Sequence, residues 1–195
     1  VYRPAVTVRR KAIEQNHLIL AYPGLSYRDD QRYALLLLNS ILGGGCSSRL
    51  FQELREKRGL CYTVYSYVAD HADTGLLGIY TATGGEQEAQ ALETVRNIVS
   101  DLAEHGPTQE ELERAREQSK ANVVMGLEST QSRMSHAGRS LLFSGEILTP
   151  EQIIAAYDSV THEDVVALAQ EIFRWDQVSL SAVGQVRTAE AYRAL

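Results

Sequence analysis

Residues 43–68 read GGGCSSRLFQELREKRGLCYTVYSYV, and they predict a glycine loop, a short helix, a turn and a strand. The loop contains Gly43, Gly44 and Gly45, which lack a Cβ and therefore tolerate positive φ and close backbone approach. Ser47 and Ser48 follow, and serine is a typical N-cap residue. The segment therefore predicts a tight loop that leads directly into a helix.

The helix after this loop is predicted to dock by one face. Leu50, Phe51 and Leu54 fall on one side at helical spacing. Arg55 follows Phe51 by four residues, so it stands over the same side. Gly59 then occupies the position of a C′ glycine, which predicts the end of the helix.

The residues after Gly59 have the composition of a strand, because 61–68 is rich in Tyr, Val and Thr. Strict alternation predicts that Tyr62 shares a face with Val64, and that Tyr65 lies on the opposite face. Arg55 is then near the end of a helix and Tyr62 at the start of a strand. One tight turn separates them, so a cation and a phenol can point toward the same place.

Length and charge limit the class of protein. A chain of 195 residues is long enough for one domain with its own core, so 1–195 is interpreted as a single domain. Its net charge of −6 argues against nucleic acid as a partner. The apolar run at residues 35–38 is too short to cross a membrane, so no membrane partner is expected.

Two cysteines, Cys46 and Cys61, form neither a CxxC nor a zinc-knuckle spacing. Their expected state is reduced, which favours a cytoplasmic location. The first residues, VYRPAVTVRR, contain no initiator Met and no signal-peptide core. We interpret the chain as a fragment, so the compartment stays unknown.

The remaining segments predict strands early and late, with helices between them. Strands are expected at residues 17–22, closed by a Pro23–Gly24 turn, and at 75–83 and 177–183. Threonine N-cap signals at Thr108, Thr149 and Thr161 begin three helices, and a last helical turn is expected within 187–195. This order is typical of an α+β fold, an antiparallel β-sheet with helices packed on one face.

Residues 47–66, SSRLFQELREKRGLCYTVYS, closely resemble the C-terminal domain of the insulinase and mitochondrial-processing-peptidase family, the pitrilysin-type zinc peptidases. Family members carry a similar glycine-rich loop, an SSRLFQ-like helix start, and an Arg and a Tyr seven residues apart. Arg55 and Tyr62 match that pair. The looser runs ESTQSRM at 128–134 and SVTHEDVVALA at 159–169 extend the resemblance over most of the chain.

The resemblance implies a processing-peptidase-like domain, two of which pair in the family like halves of a shell. Residues 1–195 would be the C-terminal half that binds no zinc. The Tyr62 hydroxyl would support an oxyanion during catalysis, and Arg55 would hold a carbonyl of the peptide substrate. Gly43, Gly44 and Gly45 would form a mobile, substrate-binding loop at the mouth of a closed chamber.

The family's catalytic motif is H-x-x-E-H, in which two histidines bind zinc and a Glu acts as base. No two of the five histidines here are four residues apart, so the motif does not occur. His162 begins a capped helix and His71 lies in a polar turn, which are ordinary surface positions. We expect no metal in this chain and place the zinc in a missing N-terminal H-x-x-E-H domain or a catalytic subunit.

The glycine loop and the Arg55–Tyr62 pair each have other interpretations. A loop before a helix N-terminus suits anions, although neither a dinucleotide-binding nor a P-loop glycine pattern occurs. The loop is also explained as a simple helix-to-helix connection. Likewise, Arg55 is explained as a solvated charge, and Tyr62 as a packed ring with a wet hydroxyl.

The hypothesis is a substrate-binding domain of a zinc-dependent endopeptidase that hydrolyses peptides. The alternative is a catalytically silent peptide-binding or scaffold subunit, and an unrelated α+β binding module is a third. An H-x-x-E-H motif encoded upstream would favour the endopeptidase, and its absence would favour the silent subunit. A missing half would leave an exposed apolar surface, so a homodimer is a further expected assembly.

Overall fold

The computed structural model describes residues 2–193, which contain a five-stranded sheet in the order β1-β5-β2-β4-β3. The strands are β1 Val6–Arg10, β2 Asn16–Gly24, β3 Cys61–Asp70, β4 Gly75–Thr83 and β5 Ser179–Gly184. The helices are α1 Arg32–Gly43, α2 Glu88–His105, α3 Gln109–Gly126, α4 Thr130–Ser144, α5 Pro150–Ser159, α6 His162–Ile172 and α7 Ala189–Arg193. A π-helical segment, Phe51–Glu56, and a 3₁₀ turn, Trp175–Gln177, complete these elements.

The predicted α+β class is confirmed. Neighbouring strands pair antiparallel from β5 through β2 and β4 to β3, and β1 alone pairs parallel, with β5. Residue alternation predicts strands but not the direction of their partners, so the parallel pair was not predicted. The β3 strand lies at the sheet edge, and its outer backbone groups are available to another extended chain.

The core lies between one face of the sheet and the helices. Leu18, Leu20 and Tyr22 of β2 point into it and join the buried side chains of α1, α2 and α6. The opposite face carries His17 and Tyr80, which are only half-buried and meet through a 2.8 Å hydrogen bond between Nδ1 and the hydroxyl. Helices therefore cover the face that carries the fully buried residues of the sheet.

The three threonine signals form complete capping boxes. In each box the threonine hydroxyl accepts from the backbone N–H three residues later, and that residue's side chain accepts from the threonine N–H. The pairs are Thr108 with Glu111, Thr149 with Gln152, and Thr161 with Asp164. Because an N-cap is worth about 1 kcal/mol, these residues fix where α3, α5 and α6 begin.

One chain segment differs from the sequence-based expectation. Pro23 and Gly24 belong to β2 rather than to a closing turn, and they pair with Leu76 and Gly75 of β4. A Cβ on Gly24 would lie 2.8 Å from a backbone atom of Leu76, so glycine serves close strand approach here. The last helical turn expected within 187–195 is present as α7, and residues 194–195 of that range lie outside the described part.

None of the helices within residues 2–193 is both long and apolar enough to cross a membrane.

Candidate functional site

The helix predicted after the glycine loop winds mainly as a π-helix. The Lys57 N–H donates to the Gln52 carbonyl at 2.9 Å, which is the i→i+5 bond of the wider helix. The predicted short helix is therefore present, but its π-helical winding over Phe51–Glu56 was not predicted, because apolar spacing does not reveal one extra residue in a turn. Gly59 follows the C-cap Lys57 by two residues at φ +59°, so the predicted glycine stop is confirmed one position beyond C′.

The loop before this segment is held by its own polar groups. The Ser48 hydroxyl donates to the Gly45 carbonyl at 2.5 Å, and Gln52 Nε2 donates to the Cys46 carbonyl at 2.6 Å. The predicted serine position is confirmed, because the helix begins at Arg49 and the Ser48 carbonyl accepts from the Gln52 N–H at 3.0 Å, but the Ser48 hydroxyl caps no N–H of the helix. Ser48 is buried and instead closes the turn.

The three glycines have different surroundings. A Cβ on Gly43 would lie 2.3 Å from the backbone N of Ser66 in β3, so the end of α1 packs directly on the strand. A Cβ on Gly44 would lie 2.7 Å from Ser40 Cα, whereas one on Gly45 would meet nothing within 4 Å. The close approach that glycine allows therefore occurs at Gly43 and Gly44, and none of the three glycines has positive φ.

Arg49 anchors the start of the π-helical segment to α2 and α3. Its guanidinium donates to both carboxylate oxygens of Glu111 at 2.7 Å and to Asp101 at 2.6 Å. Burial raises the pKa of Glu111, but hydrogen bonds from Arg49 and Thr108 outweigh it, and the net pKa lies below its usual value. Sequence analysis missed this anchor, since the partners lie 62 and 52 residues away.

The π-helical turn brings Arg55 between two aromatic rings. Its guanidinium carbon lies 4.8 Å from the ring centroid of Phe51 and 5.0 Å from that of Tyr62. Both distances fall within the range of cation–π attraction. The predicted meeting of Arg55 and Tyr62 across one turn is confirmed, and so is the predicted position of Arg55 over the side of the helix that carries Phe51.

Tyr62 occupies a β-bulge at the start of the edge strand. Cys61 pairs with Thr83 and Thr63 pairs with Ala82, so Tyr62 is the unpaired extra residue. The bulge resets the alternation, and the prediction that Tyr62 shares the face of Val64 was wrong. Val64 is buried in the core, whereas the Tyr62 side chain is 75% exposed.

The environment around Tyr62 leaves its hydroxyl available. Within residues 2–193 no group hydrogen-bonds to it, so the ring is held by Arg55 while the donor faces solvent. The neighbouring Cys61 thiol points inward. Burial raises the pKa of that thiol, against a hydrogen bond with Thr81 and the charge of Arg55. The thiol is therefore a packed group rather than a nucleophile at neutral pH.

Zinc does not fit the side chains of residues 2–193. Among residues 2–193, no group of three or more His, Cys, Asp or Glu side chains is placed to hold a metal ion. His162 donates through Nε2 to the Pro107 carbonyl at 2.7 Å, and His136 donates to the Leu148 carbonyl at 2.9 Å. These two imidazoles therefore connect elements of the fold.

Known protein sequences match most of this chain. The family model described as the peptidase M16 inactive domain matches residues 2–119. An uncharacterized zinc protease of Streptomyces coelicolor is 43% identical over 92% of this chain and 39% of its own length. An uncharacterized zinc protease of Bacillus subtilis is 42% identical over 86% of this chain and 41% of its own.

A solved structure gives the same result for the fold. The crystal structure of a peptidase M16 inactive domain from Pseudomonas fluorescens covers 95% of this chain and 44% of its own, at 27% identity and a TM-score of 0.85. The one-sided α+β sheet thus matches the fold of a peptidase M16 inactive domain. The chain belongs to the peptidase M16 family and matches its inactive domain. It spans about two fifths of the length of these relatives.

Proposed function

We propose that this chain is the substrate-binding C-terminal half of a two-domain zinc endopeptidase, working beside an H-x-x-E-H half that lies outside it. The observation that carries the proposal is the Arg55–Tyr62 pair, a cation stacked on an exposed phenol at the start of an edge strand. Arg55 has a loose ion pair with the adjacent Glu56 carboxylate, at 3.9 Å, which leaves most of its donors available. Two such donor groups, next to an open strand edge, suit an extended peptide better than a compact ligand.

The two side chains would have different roles. Arg55 offers forked N–H donors that stay charged, which suits holding a carbonyl of the bound peptide. The Tyr62 hydroxyl is a single positioned donor, which suits negative charge that develops on the scissile carbonyl oxygen in the transition state. The bulge supports this assignment, because it turns Tyr62 out of the core.

The glycine loop would border the same chamber. Packing explains Gly43 and Gly44, whereas Gly45 lies in open space and is the position where a passing peptide backbone meets no side chain. We propose that Gly45 contributes most to the opening of the chamber, and that its two neighbours set the position of the loop.

Activity should require both halves. The chain alone is expected to hydrolyse no peptide, because a water-activating metal is needed and the described side chains, those of residues 2–193, form no ligand set. The native gene product that contains this sequence is expected to be active and to encode H-x-x-E-H upstream of residue 1. The measurement is cleavage of an unstructured fluorogenic peptide by both proteins, with the metal chelated as the control.

One outcome would contradict the proposed peptidase function, and another would favour the silent-subunit alternative. Peptide cleavage by the isolated chain that resists chelation would contradict the proposal. A gene product without H-x-x-E-H and without activity, yet able to bind the peptide, would identify the chain as part of a catalytically silent peptide-binding subunit.

A further inference from the structure

The π-helical segment that carries Arg55 is a wide turn of an uncommon kind. The Lys57 N–H bonds to the Gln52 carbonyl at 2.9 Å, and the Leu60 N–H bonds to the Leu54 carbonyl at 2.8 Å. These bonds span five and six residues instead of the usual four. π-Helical turns are rare and concentrate at functional sites, and an uncommon conformation persists where its surroundings hold it. Groups around the segment therefore contribute to keeping this winding.

Arg55 has no firm polar contact that would fix its own position. Among residues 2–193 its guanidinium makes no hydrogen bond, and its ion pair with the adjacent Glu56 is loose at 3.9 Å. The rings of Phe51 and Tyr62, at 4.8 and 5.0 Å, are its close contacts. Consecutive residues of an α-helix differ by about 100° in direction, so a turn rewound as an α-helix would direct Arg55 away from Tyr62.

Arg49, at the start of the same helix, is bound as firmly as Arg55 is loose. Its Nε and Nη2 atoms donate to the two carboxylate oxygens of Glu111, both at 2.7 Å. Nη1 donates to Asp101 at 2.6 Å, and Nη2 also donates to the Gly106 carbonyl at 3.2 Å. The side chain is only 16% exposed, so water and salt screen these contacts weakly. All the acceptors belong to the junction between α2 and α3.

The junction between α2 and α3 is held by contacts of its own. The Glu111 carboxylate also accepts from the Thr108 N–H at 2.8 Å, as part of the capping box that begins α3. The Asp101 carboxylate lies 3.1 Å from Nδ1 of His105. A forked arginine–carboxylate contact fixes direction as well as distance. Arg49 therefore connects the start of the helix to a support that does not move independently of α2 and α3.

We propose that Arg49 is a positioning residue for Arg55. By holding the first turn of the helix on the α2–α3 junction, it keeps the wide winding that places the Arg55 guanidinium against the Tyr62 ring. Leu50 and Leu54 bury the same helix, but apolar contacts are non-directional and do not by themselves fix its rotation. This inference rests on the proposed function, in which Arg55 holds a carbonyl of the substrate.

Arg49→Lys in the full-length enzyme tests this role by kinetics. Lysine keeps the charge and loses the forked donors. We expect KM for an unstructured peptide to rise about tenfold with kcat nearly unchanged, because Arg55 would already hold the substrate in the ground state. In an Arg55→Lys background the same substitution should change KM by less than about twofold, since Arg49 acts through Arg55. Loss of folded enzyme alone would instead lower kcat and leave KM unchanged.

Arg116→Lys is the matched control. Arg116 is also sheltered, at 13% exposure, and its guanidinium donates to the carbonyls of Tyr157 and Val160, which join α3 to α5. Its substitution should leave KM unchanged. Glu111→Gln is a second test variant that alters the Arg49 contact from the other side. Glutamine is accepted in a capping box but carries no charge, so KM should rise here too.

Nuclear magnetic resonance gives a second measurement that needs no catalysis. In full-length protein labelled with ¹⁵N-arginine, the rings of Phe51 and Tyr62 should shift the Nε–H signal of Arg55, which is identified by its absence in Arg55→Lys. Arg49→Lys should move this signal toward that of a solvated arginine, and Arg116→Lys should not.

An unmoved Arg55 signal in Arg49→Lys, or KM increases that multiply in the double variant, would overturn the inference. If the parent protein cleaves no peptide, the proposed function fails. The Arg55 signal then decides by itself whether Arg49 positions Arg55.

Discussion

Tyr62→Phe is expected to lower kcat for peptide cleavage by about 10²-fold in the full-length enzyme, the scale found for loss of one oxyanion donor. The substitution removes a hydroxyl and keeps the ring that stacks on Arg55. KM should change little, because the hydrogen bond would strengthen only in the transition state. Steady-state kinetics with a peptide substrate would measure both constants.

Tyr65→Phe is the matched control for this prediction. Tyr65 lies on the same strand and is also exposed, but its ring contacts Tyr80 and Tyr67 and not Arg55. Its kcat should stay near that of the parent enzyme. Both variants should keep the parent stability, since neither substitution changes a buried group. Equal losses of kcat in the two variants would reject Tyr62 as the oxyanion donor.

Gly43→Ala is expected to destabilise the domain by about 3 kcal/mol, the upper part of the usual cost of overpacking. The new Cβ would lie 2.3 Å from the backbone N of Ser66, and a strand backbone cannot move aside as a flexible side chain can. The end of α1 would separate from β3, which carries Tyr62. Urea unfolding of the isolated chain, followed by circular dichroism, measures the change.

Gly45→Ala provides the comparison within the same loop. A Cβ at Gly45 would meet nothing within 4 Å and its φ is not positive, so stability should remain within about 1 kcal/mol of the parent. Equal stability of the two variants would contradict the close packing of α1 on β3.

Local signals in the sequence were sufficient for much of the fold. The capping boxes at Thr108, Thr149 and Thr161 were correctly predicted because a cap is made within four residues. The strands at 61–68 and 75–83 were correctly predicted from composition and alternation, and they pair as β3 and β4. The parallel β1–β5 pair did not, because it joins residues about as far apart as the chain allows and leaves no local trace.

The parts of the candidate site that depend on residues close in sequence were predicted, and the other parts were not. Arg55 and Tyr62 are separated by one turn, so their meeting followed from neighbouring elements. The bulge at Tyr62 and the π-helical turn each add a single residue to a regular pattern, and this shifts side-chain directions without changing the composition. The anchoring of Arg49 to Glu111 depends on tertiary packing, which one sequence does not reveal.

The exposed side of α4 was not located by sequence analysis. An exposed apolar surface was expected on general grounds, but the amphipathic spacing of Met134, Leu141 and Leu142 by itself predicts a buried helix side. In the structure all three side chains are more than half exposed.

The central claim is that Arg55 and Tyr62 act as one unit on the same bound peptide. The most direct measurement is kcat/KM for Arg55→Lys, Tyr62→Phe and the double variant in the full-length enzyme. Arg55→Lys keeps the charge and loses the forked donors. Because residues that share a partner are coupled, the double variant should lose about tenfold less than the product of the single losses. A double variant whose loss equals that product would show two independent residues and contradict the account.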